Sequence, residues 1–179
     1  MAVGNHKAVF LDRDGVIIKE KEFVIDIDHI DFIPRSIEAL LRLPADYLKI
    51  IVSNQSGVGR GYFKAAQVEA FDNALTALLK KKSVLIDKIY YCPHRPEDNC
   101  ECRKPASGLF EEANRRFGID FSRSWVIGDK STDILAGKKI GATTILVLTG
   151  YAGDEPGAQK IIPDYTAKDL FEAVEIIRQ

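Results

Sequence analysis

Residues 7–16 read KAVFLDRDGV: five mostly apolar residues that run straight into Asp12-Arg13-Asp14-Gly15. A short run with β-branched and aromatic side chains favours an extended strand, and the polar, glycine-containing turn ends it. The two carboxylates at i and i+2 straddle that turn, and Gly15 permits tight backbone geometry beside them. Such a pair can divide labour, one carboxylate attacking as a nucleophile while the other gives and takes the proton. A solvated turn is the plain alternative.

Outward from this stretch the pattern repeats. Short runs at 49–53, 88–91, 125–127 and 144–148 alternate with longer segments whose apolar residues recur at three- and four-residue spacing. Examples are Ile37, Leu40 and Leu41; Val68, Phe71, Leu75, Leu78 and Leu79; and Leu109, Ala113 and Phe117. Strands alternating with helices predict an α/β fold with a mainly parallel sheet covered on both faces. Phe171, Val174 and Ile177 predict a closing helix, and residues 151–157 read as a surface loop. No repeat or low-complexity tract divides the 179 residues, so a single domain over residues 1–179 is expected. In open α/β sheets ligands bind beyond the carboxyl ends of the strands, so the turns after the strands carry the functional reading.

Composition narrows the classes. With 25 Lys and Arg against 26 Asp and Glu the net charge is -1, which offers neither nucleic acid nor an anionic membrane a basic surface. No run approaches the roughly 20 apolar residues of a membrane span, and residues 1–7 lack the features of a signal peptide. The three cysteines crowd into residues 92–102, an odd number that suits a metal site in a reducing cytoplasm better than disulfides.

After the second strand comes SNQSGVGRG, residues 53–61. Ser53, Asn54, Gln55 and Ser56 supply neutral donors of the kind that surround a phosphate oxygen, and Arg60 can add charge; a polar turn is the alternative. After the fourth strand comes GDKSTD, residues 128–133. Asp129 is placed to join Asp12 in holding Mg²⁺, a hard cation that takes one or two carboxylates together with water and phosphate oxygens. Asp133 reads equally well as a first-turn helix carboxylate and as a support behind the metal ligands.

The segment CPHRPEDNCEC, residues 92–102, holds Cys92, His94, Cys100 and Cys102. Three thiolates and an imidazole make a complete tetrahedral Zn²⁺ set with no open position, so a structural site is expected. Arg103 and Lys104 follow at once, and a rigid loop would aim both into the same crevice, Lys104 as a point charge and Arg103 as a planar fork. His6 and His29 have no such company and read as surface or core residues.

Taken together, Asp12-x-Asp14-Gly15, Ser53-Asn54-Gln55, Lys104 and Gly128-Asp129-Lys130-x-x-Asp133 resemble the four motifs of the haloacid dehalogenase-like hydrolase superfamily, in the order that family uses them. The Cys/His loop, SNQSGVGRGYF and the RKP after the loop resemble its small zinc-loop branch of D,D-heptose 1,7-bisphosphate phosphatases and histidinol-phosphate phosphatases.

The resemblance implies a three-layer Rossmann-like sandwich. Asp12 would be the nucleophile that forms an aspartyl-phosphate, and Asp14 would protonate the leaving alkoxide and then activate water. Mg²⁺ would be held by Asp12, the Asp14 carbonyl and Asp129. Ser53 and Lys104 would stabilise the transferring phosphoryl group, Arg103 would recognise a remote phosphate, and Lys130 would lie near the metal. Glu20, Lys21, Glu22 and Phe23, with Asn54 to Ser56, match positions that line the pocket.

The intervals between motifs are consumed by the helices and strand already assigned, which leaves no room for a separate cap domain. The expected function is a Mg²⁺-dependent 7-phosphatase of D-glycero-D-manno-heptose 1,7-bisphosphate, acting as a monomer on a small phosphorylated sugar. Histidinol-phosphate phosphatase is the enzymatic alternative, and a non-catalytic phosphate-binding module is the alternative from another class.

Overall fold

The strands form where alternate side chains can be buried on opposite sides of one sheet. In β1 (Lys7–Leu11) Val9 and Leu11 enter one apolar cluster while Ala8 and Phe10 enter another. The computed structural model describes residues 5–23 and 25–179. After β1 come α1 (Ser36–Arg42), β2 (Tyr47–Asn54), α2 (Ala65–Lys81), β3 (Lys88–Cys92), α3 (Gly108–Phe117), β4 (Trp125–Gly128), α4 (Ser131–Ile140), β5 (Thr143–Val147), β6 (Tyr165–Ala167) and α5 (Leu170–Ile177).

All six strands are parallel, in the order β3-β2-β1-β4-β5-β6. Ala39 and Leu40 of α1, Phe71 and Leu75 of α2 and Val174 of α5 pack on one face with Ile51, Ile127 and Ile145. Leu109, Phe110 and Ala113 of α3 and Ala136 of α4 cover the other with Ile50, Val52 and Val126. This is the three-layer sandwich expected from the alternation of elements.

Three details differ from the sequence reading. β2 runs two residues earlier and one later than expected, so Asn54 ends the strand instead of opening the turn. β6 was not foreseen: it has three residues, two of them exposed, which leaves no apolar alternation to detect. Leu41, counted with the buried stripe, is 52% exposed, because α1 is only seven residues long and turns Ala39 and Leu40 inward. Among the described residues no helix is long and apolar enough to cross a membrane.

The β1/β4 boundary is where the strand order reverses, and it opens a crevice at the carboxyl edge. The packing that holds this edge is tight: Phe10 meets Phe110 edge-on with ring centroids 4.9 Å apart. Phe110→Ala should lower unfolding free energy by about 3–5 kcal/mol in urea titrations, the usual cost of emptying a buried aromatic site.

Candidate active site

The end of each central strand delivers one polar group to the crevice. Asp12 follows β1 directly, its amide donating to the Ile127 carbonyl at 3.0 Å, so the β1–β4 pairing itself aims this turn. Lys104 reaches in from the segment after the cysteines and is almost wholly buried. Its ammonium donates to Asp12 Oδ1 at 2.9 Å and to the Val52 carbonyl at 2.5 Å, and pairs with Asp133 Oδ1 at 2.6 Å. Burial alone would push the Asp12 carboxyl up, but Lys104 and Lys130 outweigh it and hold Asp12 below its ordinary value.

Asn54 fixes the backbone that carries Lys104. Its Nδ2 donates to the Lys104 carbonyl and its Oδ1 accepts from the Lys104 amide, each at 3.1 Å. Gln55 Nε2 donates both to Ser53 Oγ at 2.6 Å and to Asp14 Oδ2 at 2.9 Å. These amides, expected to face substrate, are thus also braces between strand ends.

Asp129 ends β4 in a cradle. Its Oδ2 accepts from the Tyr151 amide at 2.8 Å, while its buried Oδ1 has no hydrogen-bond partner. A Cβ on Gly15 or Gly150, both with positive φ, would collide with this carboxylate. Asp12, Asp129 and Asp133 bring carboxylate oxygens within 4.8 Å of one another. An orphaned buried oxygen beside two further carboxylates, in a space side chains are kept out of, fits a hard divalent cation.

Burial, then Asp12 and Asp133, push the Asp129 carboxyl up to about 8. Burial also raises Asp72, Asp133 and Glu20. Between the ordinary Asp value of 3.8 and about 8, the folded chain keeps a proton on Asp129 that the unfolded chain has released. Folding stability therefore falls as pH rises through that window. Melting temperatures without added Mg²⁺ should drop between about pH 5 and about pH 8.5, and a flat profile would show that Asp129 ionises freely.

Above this floor opens a cleft of about 610 Å³ whose walls include Asp14, Glu20, Lys21, Glu22, Phe23, Asn54, Gln55, Ser56, Arg103, Lys104 and Lys130. Lys130 Nζ lies 2.8 Å from Glu20 Oε2 and 4.8 Å from the centre of the Tyr151 ring. Burial works against its charge, but Asp12, Asp129 and Glu20 raise its pKa. Arg103 lines the far wall, its Nη1 donating to the His94 carbonyl at 3.2 Å. Arg60 is exposed and outside the lining, although it is near enough to add to the burial that lowers the Arg103 pKa.

Cys92, His94, Cys100 and Cys102 converge as expected. Their sulfurs lie 3.2–3.6 Å apart and His94 Nδ1 is 3.2 Å from Cys102 Sγ. Bonds of about 2.3 Å to a tetrahedral Zn²⁺ would set sulfurs about 3.7 Å apart, so the donor set fits such an ion with slight spreading. His6 and His29 are both exposed, His29 Nδ1 meeting Asp26 Oδ2 at 2.7 Å.

Several site residues escaped the sequence reading. Arg13 and Asp72 form a buried pair behind Asp14, 59 positions apart in the sequence with nothing between them to announce it. Thr149 Oγ1 donates to the Gly15 carbonyl at 2.6 Å, and Glu155 Oε1 accepts from the Ser131 amide at 2.7 Å, tying the 149–155 loop to the site. Gly150 and Gly153, both at positive φ beside a strand end, were the available signal.

A family model for HAD-like hydrolases matches residues 101–173. The D-glycero-beta-D-manno-heptose-1,7-bisphosphate 7-phosphatase of Pasteurella multocida is 39% identical, the match covering 96% of this chain and 97% of that protein. The chain belongs to the heptose bisphosphate phosphatase family of haloacid dehalogenase-like hydrolases. An alpha-anomer 7-phosphatase of this family, from Photorhabdus laumondii, is 36% identical over 93% of this chain and 97% of its own length. The D,D-heptose 1,7-bisphosphate phosphatase of B. bronchiseptica, solved with magnesium and phosphate, superposes with a TM-score of 0.86 at 34% identity, covering 96% of this chain and 98% of that one.

Gly150→Ala in this family member should displace Asp129. It should also destabilise the fold by about 1 kcal/mol or more, since the position demands positive φ as well as space. Urea unfolding with and without Mg²⁺ checks both effects.

Proposed function

We propose that the chain is a Mg²⁺-dependent phosphatase that removes the C7 phosphate of D-glycero-D-manno-heptose 1,7-bisphosphate. The observation that carries this reading is the buried Lys104 ammonium joining Asp12 and Asp133, with Asp14 beside it at the floor of an open cleft. The names of the relatives supply the substrate.

Asp12 attacks phosphorus, and the sugar oxygen leaves with a proton from Asp14. Water then attacks the aspartyl-phosphate, giving its proton back to Asp14 and freeing Asp12. Lys104 and Ser53 hold the transferring phosphoryl oxygens, which develop charge in a site where buried donors act strongly. Asp12, Asp129 and the Asp14 carbonyl would hold Mg²⁺, which would supply the positive charge that lets one anion approach another. Lys130 adds a further cation above these carboxylates.

The second phosphate of the substrate meets Arg103 on the far wall, with Asn54, Gln55, Ser56 and the loop of Glu20, Lys21, Glu22 and Phe23 around the sugar. Arg60 adds charge from outside. Cys92, His94, Cys100 and Cys102 would hold Zn²⁺, which would brace the loop that carries Arg103 and Lys104. Thiolate ligands suit a reducing cytoplasm.

The decisive measurement is phosphate release with Mg²⁺ from both anomers of heptose 1,7-bisphosphate, histidinol phosphate and sugar monophosphates, compared by kcat/KM. A heptose bisphosphate should exceed every monophosphate by at least about tenfold; preference for histidinol phosphate would reassign the substrate. Asp12→Asn should abolish turnover in a protein that still folds, with a melting temperature below that of the wild type because the buried Lys104 loses a charged partner. Arg103→Ala should reduce kcat/KM for the bisphosphate more than for a monophosphate, and equal losses would remove it from the distal site. Cys100→Ser should lose zinc and stability together, read by metal analysis and melting.

A further inference from the structure

Arg13 lies between the two carboxylates of the first turn and is only 1% exposed. A guanidinium this deep is costly unless it is paired, and each of its three nitrogens meets a carboxylate. Nη1 donates to Asp72 Oδ1 at 2.8 Å, Nε donates to Asp14 Oδ2 at 3.1 Å, and Nη2 lies 3.0 Å from the same oxygen. The guanidinium carbon sits 4.5 Å from the centre of the Phe71 ring. Burial works against its charge, but Asp14 and Asp72 more than offset this and raise the Arg13 pKa.

The consequence falls on Asp14. Its Oδ2 receives both arms of the arginine fork and, at 2.9 Å, Gln55 Nε2. Among the described residues no donor reaches Oδ1, and Asp14 lines the cleft. The two oxygens of one carboxyl group are therefore different: one is tied into the core, the other is available to whatever occupies the cleft.

We propose that Arg13, anchored by Asp72, is a positioning residue that holds Asp14 by Oδ2 and so dedicates Oδ1 to proton transfer. The inference rests on the reading of Asp14 as acid and base. In the first step Asp12 forms a bond to phosphorus, the phosphorus–ester oxygen bond breaks, and the proton on Oδ1 goes to the departing oxygen. In the second, water oxygen bonds to phosphorus and the Asp12–phosphorus link breaks. The water proton returns to Oδ1, leaving inorganic phosphate. Oδ2 exchanges no proton in either step. Two guanidinium nitrogens and Gln55 Nε2 converge on Oδ2 and fix where it sits, and a guanidinium anchored by Asp72 cannot swing away as a single flexible ammonium could.

The test uses the full chain with its metals and two esters that differ in leaving group. p-Nitrophenolate departs without a proton, whereas a sugar alkoxide needs one. In Arg13→Met and Asp72→Ala, single-turnover phosphorylation by the sugar bisphosphate should fall about 10- to 100-fold, while phosphorylation by p-nitrophenyl phosphate should change by less than about twofold. Repeated turnover of p-nitrophenyl phosphate should then show a burst of one p-nitrophenolate per enzyme, because water must still give its proton to Asp14. Asp72→Asn, which keeps the acceptor, should recover most of the loss.

Melting curves establish that the variants are folded, and Asp72→Ala carries the test if Arg13→Met is not. Equal losses on both esters without a burst would overturn the positioning role and leave Arg13 as core packing. A wild type that forms no phosphoenzyme from either ester would instead overturn the roles of Asp12 and Asp14, and the inference with them.

Discussion

Everything at the carboxyl edge of the sheet depends on one buried cation, the Lys104 ammonium held between Asp12 and Asp133. Neither carboxylate is exposed enough to be solvated as an ion, and burial opposes charge on both. The lysine makes their ionisation tolerable, and they in turn raise its pKa against the burial that would lower it. Removing one member of such a group leaves an uncompensated charge, which typically costs about 3–5 kcal/mol. The three residues come from the end of β1, the segment after the cysteines and the first turn of α4, so one electrostatic knot fixes three separate pieces of chain.

This knot shows how the loop that follows β3 comes to act at the end of β1. Lys104 stands two residues after Cys102, and its backbone is gripped on the other side by the Asn54 amide. The Cys/His cluster and the end of β2 thus locate the lysine from two directions, and the parallel β1–β4 pairing locates its carboxylate partner. None of these constraints requires a cap domain, and the cleft above them is open. In the proposed function, recognition of the sugar would be left to side chains on the walls.

The parts of the molecule legible in the sequence are those in which neighbours along the chain act together. Alternating apolar runs showed β1 to β5, and the DRDG, SNQS and GDKSTD turns showed where the strand ends place Asp12, Asp14, Ser53 and Asp129. Cys92, His94, Cys100 and Cys102 were visible because metal donors are few and were crowded. What stayed hidden were pairings across distance. Arg13 and Asp72 meet across 59 residues, and the two-sided grip of Asn54 on Lys104 spans 50 residues. β6 was hidden for a different reason, since a short exposed edge strand has almost no pattern to read.

The buried floor and the exposed walls answer to different constraints. Lys104, Asp12 and Asp133 are locked by mutual charge, so substituting any of them disturbs the rest. Lys21, Glu22 and Phe23 lie on an exposed loop, where, among the described residues, Lys21 is tied only to Asp31 at 3.8 Å and to the His29 carbonyl at 3.3 Å. Relatives named for the beta and for the alpha anomer match this chain at 39% and 36% identity over nearly the same span. The anomers differ at a carbon remote from the 7-phosphate, and in the proposed reaction the floor would handle only that phosphate. Discrimination between them would then fall to the walls, where exposed side chains can change without breaking the charge balance below.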